Sequence, residues 1–233
     1  MMRYKIKKDD SAPSLSVGQL AKFRKCYLGI SINNPFFRDE HLPPLLKWMD
    51  HHFDECIILI GDYLHRINEK ILSDKNDEQA IASCITKGDV LQGVIEAEIN
   101  LLGSTRFNVI RWKTFLDEHP EVESEKHRLY EFCHSNPEFK KDVLKSCTEY
   151  IDKLMQRERI YLGREEAVLA SQEYIIEEMA VFSVLIDQGY TVQVYPGSHL
   201  QVLKNLANKK FPELVTNLSR GIYVDLTARK TKS

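Results

Sequence analysis

The run CIILIGD, residues 56–62, narrows the possible folds more than any other stretch. Its apolar residues follow one another without alternation and are closed by Gly61 and Asp62. A strand of this kind is buried on both faces, as in a parallel sheet covered by helices on each side. Parallel neighbours need crossover connections, so helical segments should separate the strands. The chain has that order. CYLGIS (26–31), TRFNVIRW (105–112), TVQVYP (191–196) and GIYVDL (221–226) read as the other strands. HLPPLLKWMDHHF (41–53) places Leu45, Leu46, Met49 and Phe53 at helical spacing. Further helices are expected near 77–102, 122–134, 137–158 and 163–188, with a short one before the last strand. The fold class is therefore α/β, a mostly parallel sheet with helices on its faces. Residues 1–16 read as an N-terminal arm and 17–233 as a single domain.

The totals suit such a domain. The 233 residues are enough for one sizeable core. A net charge of −2 carries no global basic excess, so any polyanion site must be a local patch. The five cysteines (26, 56, 84, 133 and 147) are odd in number and never spaced C-x-x-C. They read as reduced thiols of a cytoplasmic protein. MMRYKIKKDDSAPSLS has no apolar core of a signal peptide, and no run approaches a membrane span. His51, His52, Asp54 and Glu55 invite a metal reading, but adjacent helical side chains diverge by about 100°. No metal is expected.

In open parallel sheets, ligands bind beyond the carboxyl ends of the strands. Ser31, Asp62 and Tyr195 each stand at such an end. Alternatively, Ser31 is only a turn residue that ends its strand. No G-x-G-x-x-G, Walker A sequence, G-x-S-x-G elbow or H-E-x-x-H occurs, which argues against nucleotide cofactors and the usual hydrolase or zinc sites. SQEYIIEEMAVF (171–182) lies in an expected helix that is apolar nearly all round. Tyr174 and Glu178 are four apart and share a face, while Glu177 points elsewhere. A carboxylate in such a helix needs a partner. That partner is either a structural cation or the cationic group of a ligand.

Taken together, these residues resemble the tRNA-dependent cyclodipeptide synthases. GIS at 29–31 followed by N-x-F-F resembles that family's strand-end nucleophile, and YIIEE at 174–178 its Tyr-x-x-x-Glu helix. VYP at 194–196 resembles the Tyr-Pro marker of one of its two subfamilies, and Trp48 and Phe53 also fit. The resemblance runs over roughly 26–226. It implies a Rossmann-like fold similar to the catalytic domain of class I aminoacyl-tRNA synthetases, without their ATP signatures. It implies two aminoacyl-tRNAs, used in sequence, as partners, and no cofactor, metal or membrane. Under it an aminoacyl group passes from tRNA to Ser31. The amine of a second aminoacyl-tRNA then attacks to give a dipeptidyl-enzyme, and cyclisation releases a 2,5-diketopiperazine. By position Tyr174 and Glu178 hold the substrate amine and Tyr195 takes part in proton transfer. Tyr27, Gly29, Leu59 and Val181 are placed at the first aminoacyl pocket.

Two departures from the family pattern stand out. Asn34, three residues after the serine, marks the other subfamily, yet Pro196 follows Tyr195. Asn34 is left between substrate positioning and strand-end capping. The family's basic helix after the second strand corresponds here to DVLQGVIEAEINLL, which is acidic and apolar. Contacts to tRNA are sought instead among Arg24, Lys25, Arg106, Arg111, Lys113, Lys204, Lys209 and Lys210. Two rival readings are a serine hydrolase or acyltransferase, which would want a histidine near Ser31 that local sequence does not supply, and a non-catalytic tRNA-binding module.

Overall fold

The computed structural model describes residues 2–7, 17–37 and 40–230. Among them the chain runs β1 (Met2–Ile6), α1 (Val17–Leu20), β2 (Lys25–Ile30), α2 (Leu42–His52), β3 (Glu55–Ile60), α3 (Arg66–Leu72) and α4 (Asp77–Leu102). It continues as β4 (Phe107–Arg111), α5 (Trp112–Glu118), α6 (Glu121–Ser135), α7 (Pro137–Met155), α8 (Arg164–Asp187), β5 (Val192–Tyr195), α9 (Gln201–Ala207) and β6 (Ile222–Lys230). The sheet order is β1-β6-β5-β2-β3-β4, with only β1 antiparallel. The parallel part, β4-β3-β2-β5-β6, has the order of a doubly wound sheet whose chain reverses direction between β2 and β5.

The unbroken apolar character of β3 follows from its two covered faces. Ile57 and Leu59, with Tyr27 of β2, join the core under α3 and α5–α9. Cys56, Ile58 and Ile60, with Cys26, Leu28 and Ile30, join the core under α2 and α4. Successive strand residues point to opposite faces, so both sets must be apolar. All five cysteines are buried free thiols. No helix among the described residues is long and apolar enough to cross a membrane.

α4 begins on a reciprocal cap. Asn76 Oδ1 accepts from the Gln79 backbone N–H at 2.9 Å, and the Asn76 N–H donates to the Gln79 side chain at 3.2 Å. Gly103, at φ 68°, ends it in the left-handed conformation that glycine adopts without a Cβ clash. α8 is buried nearly all round because it lies between the sheet and α3, α6 and α7. Glu177 ties it down. Arg66 donates twice to its carboxylate, at 3.1 and 2.9 Å, and the Trp112 indole N–H donates at 3.0 Å. The cation demanded of a buried glutamate is thus structural for Glu177.

Several features depart from the sequence reading. Met2–Ile6, inside the expected arm, forms an edge strand on β6; residues 8–16 lie outside the described residues. β6 runs to Lys230, and α3 and α5 are additional helices. Asp62 is fully buried and accepts from Arg111 Nε at 2.7 Å, from Arg111 Nη2, and from the Trp112 backbone N–H at 3.3 Å. It locks β3 to β4 and does not line the cavity described below.

Gly88 of α4 lies over that lock. A Cβ there would stand 2.5 Å from Arg111 Nη2 and 2.7 Å from Asp62 Cβ. Gly88→Ala should therefore lower unfolding free energy by about 1–3 kcal/mol, even though alanine favours helix. Urea denaturation measures this, and an unshifted midpoint would show that the ion pair has room to move.

Candidate active site

β2 and β5 pair only at Cys26–Val192 and Tyr27–Gln193 and then part. A cavity of about 620 Å³ opens beyond their carboxyl ends, and Ser31, His65, Tyr174, Glu178, Tyr195 and His199 line it. The four catalytic candidates thus come from β2, α8 and β5 to one place. Asn34 and Gly29 also line it.

Ser31 Oγ lies 2.6 Å from His65 Nε2. His65 immediately precedes α3, on the turn after β3, 34 residues along the chain from Ser31. The histidine wanted by the hydrolase reading is therefore present, but it is brought in by the crossover. It is 5% exposed. Burial, with the nearby Lys87 charge, lowers its pKa to about 4 although Glu69 opposes the shift, so the ring is neutral at physiological pH. Its Nδ1 faces Asn68 Nδ2 at 3.4 Å, and its edge meets the Tyr174 ring at 5.7 Å between centroids.

Tyr174, Glu178 and Phe182 form one stripe of α8 facing the cavity. Burial alone raises the Glu178 carboxyl to about 7. Its neighbour Glu177 is held below the usual carboxylate range by Arg66 and Lys126 despite its own burial. Two adjacent glutamates thus differ because one meets side-chain cations and the other meets the cavity. The Tyr174 and Tyr195 hydroxyls are both pushed up by burial and then by Glu178, so each is a neutral phenol. Asn34 Nδ2 donates to Tyr195 Oη at 3.2 Å, and its Oδ1 accepts from the Phe36 N–H at 3.0 Å. Asn34 therefore both caps the strand end and anchors the phenol. Beside Tyr195, His199 Nδ1 is 2.5 Å from Asp225, which also pairs with Lys204 at 2.8 Å.

Tyr27, Leu59 and Val181 are core residues that do not line the cavity. The Tyr27 ring packs on Phe182, at 5.2 Å, and Phe182 forms the wall instead. A Cβ on Gly29 would sit 3.3 Å from that phenyl ring, so this glycine lets Phe182 approach the strand. Lys204 is 5% exposed and committed to Asp225, which withdraws it from the tRNA candidates. Arg111 is likewise committed, to Asp62 and Asp89. Arg24 and Lys25 pair with Asp54 and Glu55 at the amino end of β2, the wrong end for Ser31. Lys210 pairs with Asp142, while Lys209 stays exposed on the turn after α9. His65, Asn68, Phe182 and His199 are cavity residues that sequence reasoning missed. Phe182 had a signal, since it continues the i, i+4 stripe.

No protein-family model and no curated protein matches the chain. Solved structures do. A CDPS from Fluoribacter dumoffii superposes with a TM-score of 0.83 at 18% identity, covering 99% of this chain and all of that one. A Mycobacterium tuberculosis protein, whose structure is described as demonstrating that cyclodipeptide synthetases are related to type I tRNA synthetases, gives 0.70 at 12% identity, covering 97% and 96%. A cyclodipeptide synthase from Candidatus Glomeribacter gigasporarum bound to Phe-tRNAPhe gives 0.60 at 17% identity, covering 90% and 89%. At these identities the likeness is one of fold, and it agrees with the Rossmann-like, synthetase-like class expected above.

The raised Glu178 carboxyl gives a pH signature to the empty protein. A folded-state pKa above the unfolded one contributes stability below the unfolded value and loses it as pH rises through the folded value. Melting temperature should therefore fall as pH rises from about 4.5 through about 7. Glu178→Gln should flatten that fall and be the more stable protein at about pH 8. Parallel melting curves for the two proteins across this range would show that Glu178 is not desolvated.

Proposed function

We propose that this protein is a tRNA-dependent cyclodipeptide synthase of the Tyr-Pro-marked subfamily. It joins two aminoacyl groups through a seryl acyl-enzyme. One observation carries the reading. Ser31, Tyr174, Glu178 and Tyr195, chosen from separate stretches by resemblance, line one cavity at the crevice where β2 and β5 part. The fold likeness supports it, and one such fold binds an aminoacyl-tRNA.

In the first step Ser31 Oγ attacks the aminoacyl ester carbonyl, the bond to the tRNA ribose oxygen breaks, and the group becomes a serine ester. One ester replaces another, so the exchange is close to balanced and positioning supplies much of the rate. The α-ammonium is held at Glu178, with Tyr174 on the same stripe. Binding a cation there favours the charged carboxylate that the empty cavity disfavours.

Atom balance then reverses the attack expected from sequence. For the dipeptide to stay on Ser31, the amine already on the serine must attack the second aminoacyl-tRNA, whose ribose oxygen leaves. The new terminal amine next attacks the serine ester, Oγ departs, and the six-membered ring closes. Each attacking nitrogen must first lose a proton. A free α-amine titrates at about 7.7–8.0, so it is partly unprotonated near neutral pH, and the Tyr195 phenol offers a relay for its proton beside Glu178.

The proximity of His65 to Ser31 favours a second reading, a serine hydrolase or acyltransferase. Such an enzyme should release p-nitrophenol from simple esters continuously, and a synthase should not. The contact with tRNA should involve phosphates and weaken with salt. Lys209 and Lys210, beyond α9, and Lys113, just past the carboxyl end of β4, are the candidates on the Ser31 side of the sheet, with Lys210 and Lys113 already paired to Asp142 and Asp117. Arg106 donates to the Asp50 and Phe53 carbonyls at the other end of β4.

Ser31→Ala should fold normally, take no label from radiolabelled aminoacyl-tRNA, and make no diketopiperazine. Mass spectrometry of medium from expressing cells reads the product. Undiminished product from the alanine variant would refute the covalent route.

A further inference from the structure

We propose that His65 is a catalytic base for Ser31, with Asn68 as the positioning residue that sets its tautomer. The inference rests on the reading of Ser31 as an acyl carrier, but not on which acyl donor it uses.

The geometry is local. His65 Nε2 is 2.6 Å from the Ser31 oxygen, within the range of a strong hydrogen bond. The ring is 5% exposed and walled by Tyr174, so its contact with Ser31 is not shared with bulk water. Asn68 lies one turn along and is itself 5% exposed. As placed, its amide nitrogen faces Nδ1 while its Oδ1 is buried with no partner. Turning the amide by half a rotation brings Oδ1 to the ring and gives that oxygen a donor. Nδ1 then carries the proton, and Nε2 presents a lone pair to the Ser31 hydroxyl. This is the Ser–His–orienting-amide arrangement of nucleophilic catalysis, built here within one turn after β3.

The step balances. As Oγ bonds to the acyl carbon, its proton moves to Nε2. As the ribose oxygen leaves, Nε2 returns that proton to it. No net proton is taken up, and the ring is neutral again for the second substrate. The groups facing the ring are Ser31, Asn68 and Tyr174, with Lys87 of α4 and Glu69 of α3 as the charges acting on it. Burial keeps the imidazole unprotonated, and so available, throughout the physiological range, though it is a weaker base than a solvated ring.

The test is single-turnover transfer of labelled aminoacyl from tRNA to the intact protein, between about pH 5.5 and 8.5. Wild type should follow only the titration of Glu178, near 7, with no inflection from His65. His65→Gln should be slower by about 10²–10⁴-fold, and its rate relative to wild type should rise with pH because solvent base must replace the imidazole. Added imidazole should partly rescue His65→Ala. Asn68→Ala should be slowed with wild-type substrate affinity. A correctly folded His65→Gln within about threefold of wild type would overturn the proposal, since a general base contributes far more. Nitrogen-15 NMR of the labelled wild type reads the tautomer without any variant: protonated Nδ1 and bare Nε2 support the proposal, and protonated Nε2 overturns it. If wild type takes no label from aminoacyl-tRNA but gives a Ser31-dependent burst with p-nitrophenyl esters that His65→Gln abolishes, the base assignment stands and the synthase reading falls.

Discussion

The short pairing of β2 with β5 is the constraint on which the rest depends. Two residues of each strand are in register, and then the strands diverge. At that point the chain's crossovers turn to opposite sides of the sheet, so no helix fills the gap. Ser31 follows the last residue of β2, and Tyr195 is the last residue of β5. Ser31 and the Tyr195 phenol therefore face each other across a crevice that hydrogen bonding leaves open. Asn34 spans it by holding Tyr195 from the serine side.

A crevice is useful only if its third wall stays fixed, and buried charge fixes it. Arg66, Trp112 and Lys126 reach Glu177 from three different elements. Removing one partner of such a network typically costs about 3–5 kcal/mol, because a charge is stranded out of water. α8 is therefore held in its rotation about its own axis. That rotation decides which glutamate meets the cavity. One residue further along, Glu178 meets no such cation and titrates near neutrality. The same network holds α3, the helix that His65 precedes, so His65 and Glu178 share one scaffold.

Much of this was legible in the sequence, because periodicity reports burial. The strands of the parallel sheet, the long helices and the four residues around the crevice were read from local pattern and resemblance. β1 was missed because its five alternating residues were read together with the charged, polar stretch that follows them, and its partner lies more than two hundred residues away. Tyr27, Leu59 and Val181 were misplaced for a simpler reason. They were carried over by position, which does not say which side chains of this chain line the cavity; on α8 the cavity stripe continues to Phe182 at i+4, not to Val181 at i+3. Lys204 was misread because charge suggests solvent; its partner Asp225 comes from β6, on a different element from α9.

His65 illustrates the limit most clearly. No local signal marks it, since YLHRIN is an ordinary helix start. Its place beside Ser31 follows from a crossover that returns the chain beside β2. Its burial also carries a chemical consequence. Desolvation that lowers an imidazole's pKa weakens it as a base. What burial gives in return is availability, since the ring is unprotonated across the physiological range. In the proposed step the proton it takes from Ser31 goes back to the departing ribose oxygen, so no charge has to stay on the ring once the ester has moved. Positioning of two esters that are close in energy then carries the rest of the rate.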